Sequence, residues 1–321
     1  MNAQPIECVV VDAGARYGLH PSWAEMRGIV RFHLFEMDPS EAARLTAKYA
    51  KEPTITVHPL ALFSSETEIQ FNVSQHRALN SMYQTDTGLL ERNEYKTDSF
   101  SVVDCGSVRA TTIDSVFPNQ EIHFLKLDIE GAELEALKGG AEKLRTSVLG
   151  VRSEVCFAPV YKDAPVFGDI DRYLRDCGFE LLNLDYDGQG NKSGKFTKPG
   201  RFGKLISSDA VWVVGNDRLF AGRGSQLRED VVRMALFLML NGATDLAVET
   251  LVRAIRLHGI SLSAAGDAPL VTALHRKILL LFKDLMNLPM FEKADLLDTY
   301  KLLFDREFPD LNRFYESDMF R

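Results

Sequence analysis

A strand, an acidic turn and a helix follow one another in the stretch IHFLKLDIEGAELEALKGGAEKL, residues 122–144. The apolar run Ile122–Leu127 is typical of a buried strand, and Glu133–Leu144 carries apolar residues at helical spacing. Asp128 ends the strand, and Glu130 and Gly131 form the turn. Because open α/β sheets bind ligands beyond the carboxyl ends of their strands, we expect the carboxylates of Asp128 and Glu130 to face a ligand.

Strand and helix patterns alternate through the first two thirds of the chain. Further strands are predicted at Glu7–Val11, Phe32–Phe35, Thr54–Val57 and Val148–Val155, and further helices at Pro39–Tyr49 and Phe167–Cys177. Apolar strands separated by helices indicate a parallel sheet covered on both faces, which is the doubly wound, Rossmann-like α/β architecture. No helical pattern separates Phe179–Leu184 from Ala210–Val214, so the last strand is predicted to be antiparallel.

The pattern changes after Gly215. Apolar residues at helical spacing predict four helices, at Gln226–Asn241, Ala243–His258, Pro269–Leu288 and Glu292–Phe304, with no strand between them. We therefore predict a first domain at residues 1–216 and a C-terminal α-helical subdomain at residues 217–321, which packs on the first domain or mediates a homodimer. The first domain holds 23 basic and 30 acidic residues and the second 14 and 15, so the acidity lies mainly in the first.

Composition excludes several classes of protein. With 45% hydrophobic and 26% charged residues, the 321-residue chain is neither disordered nor of low complexity. A net charge of -8 argues against a nucleic-acid partner. The four cysteines form no CxxC pair, the first residues lack a signal-peptide pattern, and no apolar run is long enough for a membrane span. We therefore expect a reduced, cytoplasmic protein.

A glycine-containing turn follows the first predicted strand in CVVVDAGARYG, residues 8–18. Gly14 and Gly18 would let the backbone approach a ligand, and Glu36, at the end of the next strand, could accept both hydroxyls of a ribose. The spacing departs from the G-x-G-x-x-G pattern of dinucleotide-binding proteins. Asp12 would repel a pyrophosphate but attract the ammonium of S-adenosylmethionine (SAM). The turn therefore favours SAM, unless Asp12 and Glu36 merely cap neighbouring helices.

The stretch at residues 122–144 resembles the hallmark LK-I/L-D-V/I-EGAE-LxxLKG of the FkbM-type methyltransferases. The similarity extends to VVDAGARYG (residues 10–18), FEMDP (35–39), HPLALFSSETEIQF (58–71), LNSMY (79–83), TTIDSVF (111–117) and residues 151–184. It covers about residues 7–214 and leaves out the helical tail. Three residues depart from the family pattern: Arg16 and Asp38 each replace an Asn, and Met37 replaces a Pro.

This resemblance implies a class I methyltransferase fold with a seven-stranded sheet and with SAM as cofactor. It implies that Asp12, Gly14, Ala15 and Gly18 hold the methionine part of SAM and that Glu36 holds the ribose. Ser81 would face the adenine or the active site. Asp128, which also belongs to the implied cofactor site, and Glu130 would lie near the transferable methyl group.

Methyl transfer to a hydroxyl oxygen requires alignment of the acceptor and removal of its proton. We expect Asp128 or Glu130 to be the catalytic base, with Glu154, at the end of the fifth strand, as a further carboxylate of the crevice. Asp128 and Glu130 could alternatively hold a divalent cation. Because the sequence offers no clear third ligand, we expect no metal.

A basic loop interrupts the otherwise acidic first domain at Lys192, Lys195, Lys198, Arg201 and Lys204. It is either a solvated loop or a lid for an anionic acceptor.

The sequence thus predicts a SAM-dependent methyltransferase that acts on a hydroxyl oxygen of a small-molecule or sugar-type acceptor. One alternative is a non-catalytic protein that keeps the SAM pocket and acts as a scaffold through its helical tail. A nicotinamide-dependent oxidoreductase is a third hypothesis.

Overall fold

The computed structural model of the chain describes residues 6–93, 95, 97–185, 191–192, 204–222, 224–262, 268–288 and 292–305. The chain divides into two compact units, one at Glu7–Arg218 and one from Leu219 onward, to which Ile6 also belongs. The assignment of residues 1–216 and 217–321 to two domains stays a proposal.

The first unit contains all twelve strands that the structure describes. In chain order they are β1 (Val9–Ala13), β2 (Arg31–Phe35), β3 (Ile55–His58), β4 (Ala61–Leu62), β5 (Thr67–Ser74), β6 (Val102–Thr111), β7 (Phe124–Leu127), β8 (Gly150–Cys156), β9 (Phe179–Asp185), β10 (Asn191–Lys192), β11 (Lys204–Leu205) and β12 (Ser207–Val214). Seven of them form a sheet in the order β3-β2-β1-β7-β8-β12-β9. Strands β3 to β8 of this order pair in parallel, and β12 is antiparallel to both β8 and β9. The predicted doubly wound sheet with an antiparallel last strand is confirmed.

The direction in which the chain builds the sheet reverses at β1. From β1 the chain moves outward to β2 and β3 on one side, and later returns to β7 and β8 on the other side. All five residues of β1 and all four of β7 are buried, as expected for central strands covered on both faces. The carboxyl ends of β1 and β7 therefore flank the switch point at which such sheets bind ligands.

The helices are α1 (Pro39–Lys48), α2 (Thr87–Arg92), α3 (Ile113–Val116), α4 (Glu133–Lys138), α5 (Ala141–Thr146), α6 (Phe167–Asp176), α7 (Asn216–Leu219), α8 (Gly224–Leu240), α9 (Thr244–His258), α10 (Ala268–Leu285) and α11 (Lys293–Phe304). The predicted single helix over Glu133–Leu144 is wrong, because Gly139 and Gly140 interrupt it and separate α4 from α5. A Cβ on Gly139 would lie 2.0 Å from the carbonyl oxygen of Phe63. The break lets the segment after β4 pass against this backbone.

A small second sheet, in the order β4-β6-β5, lies in a region for which the sequence predicted no elements. β6 runs parallel to β4 and antiparallel to β5. Most residues of β5 and β6 are exposed or half-buried, so these strands lack the continuous apolar runs that identify the central strands. This region nevertheless supplies one wall of the cavity described below.

Helices α8 to α11 belong to the second unit. In α8 every residue from Val231 to Met239 is buried, including Arg233, which forms ion pairs with Glu229 at 3.0 Å and Asp230 at 2.8 Å. These helices confirm the predicted helical C-terminal region. Within the described residues, none of the helices combines the length and the apolar character that a membrane span requires.

The basic loop falls mainly outside the described residues, since Lys195, Lys198 and Arg201 are not among them. Lys192 and Lys204 lie opposite each other in the short antiparallel pair β10–β11.

Candidate active site

A cavity of about 320 Å³ opens at the carboxyl ends of β1, β2 and β7. The turns after these strands form its polar side and contribute Gly14, Glu36, Asp128 and Glu130. Residues 60–82 supply an apolar wall, with Leu60, Leu62, Ile69, Phe71 and Met82, and also the polar lining residues His76, Arg77 and Asn80. A pocket of this size with an apolar wall and a few polar groups is typical of a small-molecule site.

The turn after β1 brings bare backbone to the cavity. Gly14 has a φ of +80°, and a Cβ at this position would lie 1.8 Å from the carbonyl oxygen of Asp128. Only glycine fits, because the turns after β1 and β7 touch backbone to backbone. The amides of Gly14 and Ala15 both donate to the carbonyl oxygen of Phe35 at 3.1 Å, which holds the turn against β2. Ala15 is buried and Gly18 packs against Tyr49, and neither lines the cavity.

Asp12 lies behind this turn and does not line the cavity. It is fully buried, and its Oδ1 is 3.5 Å from the ammonium nitrogen of Lys126 in the neighbouring strand. The backbone amide of His20 donates to its Oδ2 at 3.4 Å. Burial raises the pKa of Asp12 above its ordinary value, although Lys126 opposes the shift. Asp12 therefore reaches a ligand in the cavity only through neighbouring groups.

Glu36 lies at the end of β2 and lines the cavity. Its Oε1 accepts a hydrogen bond from the backbone amide of Asp38 at 2.8 Å, and burial raises the pKa of the carboxyl group. Asp38 in turn caps α1, because its Oδ1 accepts from the backbone amides of Ser40 at 3.0 Å and Glu41 at 3.3 Å. Asp38 acts as a helix cap, whereas Glu36 is a buried carboxyl group at the cavity.

Two departures from the family pattern lie against each other. The guanidinium of Arg16, which lines the cavity, donates to Asp38 Oδ2 at 3.3 Å. The carbonyl oxygen of Arg16 also accepts a hydrogen bond from Arg44, in α1, at 3.1 Å. Arg16 and Asp38 thus link the turn after β1 to the turn after β2.

Asp128 and Glu130 both line the cavity from the turn after β7. Asp128 Oδ2 accepts a hydrogen bond from Lys126 at 3.2 Å. Glu130 has a φ of +56°, a left-handed conformation that costs energy for any residue with a Cβ. Burial is the main cause that raises the pKa of Glu130 to about 8, and the nearby charge of Asp128 adds to the shift. Glu130 thus combines a strained backbone with a raised pKa.

Two side chains from distant segments hold Glu130 in this conformation. Ser81 is buried, and its hydroxyl donates to the carbonyl oxygen of Glu130 at 2.6 Å. Tyr161 donates its hydroxyl proton to Glu130 Oε2 at 2.5 Å. The structure thus places Ser81 behind the acidic turn and outside the cavity lining, where it supports Glu130.

Two further carboxyl groups lie beside this turn. Glu133 Oε1 accepts a hydrogen bond from the amide of Ile129 at 2.8 Å, which fits the role of an acidic residue at a helix start. Burial raises its pKa to about 7. Carboxylate oxygens of Asp128, Glu130 and Glu154 all lie within 4.8 Å of one another, and burial, followed by Glu130, raises the pKa of Glu154. Glu154 is the third carboxylate that could complete a site for a hard cation, which would offset the repulsion among the three carboxylates. Protonation of Glu130 and Glu154 relieves that repulsion as well.

The chemistry of these groups fits SAM. Glu36 offers a carboxyl group to ribose hydroxyls, the apolar wall suits a purine ring, and Asp128 offers a carboxylate where a sulfonium or ammonium can lie. Sequence reasoning missed the apolar wall, Lys126 and Tyr161. Lys126 stands inside the quoted hallmark, but an apolar strand pattern gives no reason to single out a lysine. Tyr161 follows β8 in a loop without any recognisable motif.

Several solved structures are similar to part of the chain. The methyltransferase FkbM from Methylobacillus flagellatus KT is 16% identical with a TM-score of 0.39, and the match covers 66% of this chain and 44% of that one. A TehB-like SAM-dependent methyltransferase from Corynebacterium glutamicum is 13% identical with a TM-score of 0.33, over 66% of this chain and 82% of that one. A putative RNA methyltransferase from Pyrococcus horikoshii is 14% identical with a TM-score of 0.33, over 66% and 77%. The chain therefore spans less than half of the first of these proteins.

A search of curated proteins finds no match to the sequence. The sequence model of the methyltransferase FkbM domain matches residues 12–181, which is more than half of the chain, and the chain therefore belongs to the FkbM methyltransferase family.

Proposed function

We propose that the chain transfers a methyl group from SAM, the methyl donor that its family implies, to a hydroxyl oxygen of a small-molecule or sugar-type acceptor. The observation that carries the proposal is Glu130, a cavity-lining carboxyl group with a pKa of about 8 in a strained backbone conformation. Perturbed carboxyl groups and backbone strain both concentrate at functional sites.

In this proposal Glu36 binds the ribose, and the turn of Asp12, Gly14, Ala15 and Gly18 shapes the part of the cavity that takes the methionine moiety. Asp128 supplies negative charge to the same region, and Ser81 supports the acidic turn. The positions of Gly14, Glu36 and Asp128 in the cavity lining and the hydrogen bond from Ser81 to Glu130 support these roles.

Glu130 is the proposed base. When bound, SAM supplies an electrophilic methyl group on a sulfonium. Glu130 accepts the proton of the acceptor hydroxyl, and Tyr161, which donates to its Oε2, fixes the orientation of the carboxyl group. A base with a pKa of about 8 is strong enough to aid deprotonation and is partly ionised near neutral pH. Activity should therefore rise with pH until Glu130 is fully ionised.

Binding and transfer are tested separately. Calorimetry with SAM and with its demethylated product measures cofactor binding, and absence of binding by both would refute the proposal. Transfer of radiolabelled methyl groups into a panel of sugars and hydroxylated metabolites then tests catalysis. Glu130→Gln should retain SAM affinity and lose transfer. If the wild-type chain binds SAM but no acceptor in a broad panel is labelled, a non-catalytic SAM-binding protein becomes the better reading.

We further propose that the chain acts in the cytoplasm and forms a homodimer through its C-terminal helices. Several large apolar side chains of these helices are exposed, at Leu246, Leu257, Leu280 and Leu297. Where such side chains form a contiguous patch, they favour a protein interface. Light scattering at several concentrations tests this proposal, and a monomer at all of them would refute it.

A further inference from the structure

Lys126 is a buried cation in the centre of the sheet, next to the cavity. It lies in β7 directly beside Asp12 of β1, and its ammonium nitrogen is 3.5 Å from Asp12 Oδ1 and 3.2 Å from Asp128 Oδ2. Only 5% of the residue is exposed. Lys126 is thus the direct link between the fully buried acid behind the glycine turn and the acid that lines the cavity.

The two carboxylates that Lys126 contacts differ in their environment. Asp12 has no exposed surface, whereas 44% of the Asp128 side chain is exposed. Burial alone would lower the pKa of Lys126, but Asp12 and then Asp128 raise it above its ordinary value, so the ammonium stays charged. With both acids ionised, the three groups carry one net negative charge, and its exposed end is Asp128.

Asp128, which lines the cavity, keeps one carboxylate oxygen that accepts no hydrogen bond from the described residues. The ammonium of Lys126 engages Oδ2, and among the described residues no hydrogen bond engages Oδ1. A carboxylate held at one oxygen by a buried cation has fewer orientations than a free one. It can therefore present the other oxygen to a cation at a lower cost in conformational entropy.

We propose that Lys126 is a positioning residue of the cofactor site, which orients the Asp128 carboxylate toward a cationic group of bound SAM. Asp12 then acts on the site only through Lys126, as the counter-ion that keeps this lysine charged inside the sheet. The inference rests on the proposed function, because it presupposes that SAM is the ligand.

A purely structural role is the competing explanation. If Lys126 only neutralised Asp12, then removal of both charges together would restore the site. If Lys126 positions Asp128, the same double substitution restores the fold but leaves Asp128 unsupported. The two explanations therefore predict opposite SAM affinities for one variant.

The experiment compares Lys126→Met, Asp12→Asn and the double variant Asp12→Asn/Lys126→Met in the full-length chain. Thermal unfolding measures stability and calorimetry measures the dissociation constant for SAM. Lys126→Met should unfold at a markedly lower temperature, because it leaves Asp12 buried without its cation. The double variant should regain most of the loss in unfolding temperature, yet bind SAM about tenfold or more weakly.

Two controls sharpen the result. Asp12→Asn alone should weaken SAM binding less than the double variant does, because Lys126 still holds Asp128 and the Asp128 carboxylate still favours the charged ammonium. Lys138→Met removes an exposed lysine whose one ion pair with a described residue is with Glu135, and it should change neither measurement. Wild-type affinity in the double variant, or a loss in Asp12→Asn alone as large as that of the double variant, would overturn the inference.

A second cycle asks whether Lys126 acts through Asp128. In the Asp12→Asn background, Lys126→Met and Asp128→Asn are made singly and together. If Lys126 acts through Asp128, the two losses of SAM affinity should not add. Full additivity would refute the mechanism. If the wild-type chain binds no SAM, the proposed function fails, whereas SAM binding with an additive cycle refutes this inference alone.

Discussion

The turns after β1 and β7 lie side by side at the cavity, yet they are built in opposite ways. Both contain backbone with positive φ, at Gly14 and Gly18 in the first turn and at Glu130 and Gly131 in the second. In the first turn glycine adopts this conformation without strain, so the chain can approach its neighbour closely. In the second turn Glu130, a half-buried residue with a carboxyl group, adopts it. The difference indicates that the first turn allows close packing of the backbone, whereas the second holds the Glu130 carboxyl group at the cavity and lowers the stability of the fold.

The largest effect should come from a side chain placed at Gly14, where the two turns are in backbone contact. Gly14→Ala would place a Cβ 1.8 Å from the Asp128 carbonyl oxygen, so the two turns must separate. We expect a loss of more than about 3 kcal/mol in the free energy of unfolding, together with loss of SAM binding. Chemical denaturation and calorimetry measure the two quantities.

Gly28→Ala is the matched control for this substitution. Gly28 has nearly the same φ, +78°, but apart from its two chain neighbours no described residue has an atom within 4 Å of the position that its Cβ would take. Gly28→Ala should therefore cost only the conformational term of about 1–2 kcal/mol. If both variants lose equal stability, the close contact between the turns is not what requires glycine at Gly14.

The second turn should show the opposite behaviour, since Glu130→Gly is expected to stabilise the protein while methyl transfer is lost. The pKa of Glu130 is raised from 4.5 to about 8, so the folded state holds a proton that the unfolded state releases between these values. This contribution to stability is present below pH 4.5 and is lost as pH rises through 8. At pH 9, Glu130→Gly should gain about 2–3 kcal/mol after the lost Tyr161 hydrogen bond is subtracted. At pH 5 the gain should nearly vanish.

Asp163→Gly separates backbone strain from buried charge in this measurement. Asp163 also has a positive φ, +61°, but its side chain is exposed. Its replacement should change stability by about 1 kcal/mol or less. A gain for Glu130→Gly that does not depend on pH would mean that burial of the carboxyl group contributes nothing.

A smaller effect should come from Tyr161→Phe. The Tyr161 hydroxyl lowers the pKa of Glu130 against the effect of burial, so its loss should raise that pKa further. The pH range over which stability falls then extends to higher pH, with a loss of about 1 kcal/mol above pH 8. Carbon-13 NMR of labelled glutamate, assigned with Glu130→Gln, measures the pKa directly. Tyr173→Phe, which removes a hydroxyl 3.5 Å from the Leu137 carbonyl oxygen, should leave the titration of Glu130 unchanged.

The comparison of the two turns also shows what the sequence could predict. The central strands and the acids Asp128 and Glu130 were predictable, because apolar runs and strand ends are local patterns. The support of Glu130 was not, since Ser81 and Tyr161 lie 49 and 31 residues away along the chain. The burial of Asp12 behind its turn depends on the register of β1 with β7, which no local pattern records. The break at Gly139 depends in the same way on a distant contact with Phe63.

The smallest effect should come from the link between the turns after β1 and β2. Arg16 and Asp38 are both partly exposed, so their ion pair at 3.3 Å should contribute only about 0.5 kcal/mol. Arg16→Asn and Asp38→Asn should each weaken SAM binding about twofold, and the double variant, which carries the family residue at both positions, should be no weaker than either single variant. Arg31→Asn with Glu7→Gln breaks an exposed pair at 3.0 Å and should not alter SAM affinity. Losses that add in the Arg16–Asp38 cycle would mean that the two departures from the family pattern are independent. A non-additive result would mean that the cavity tolerates a cation at Arg16 because Asp38 compensates it.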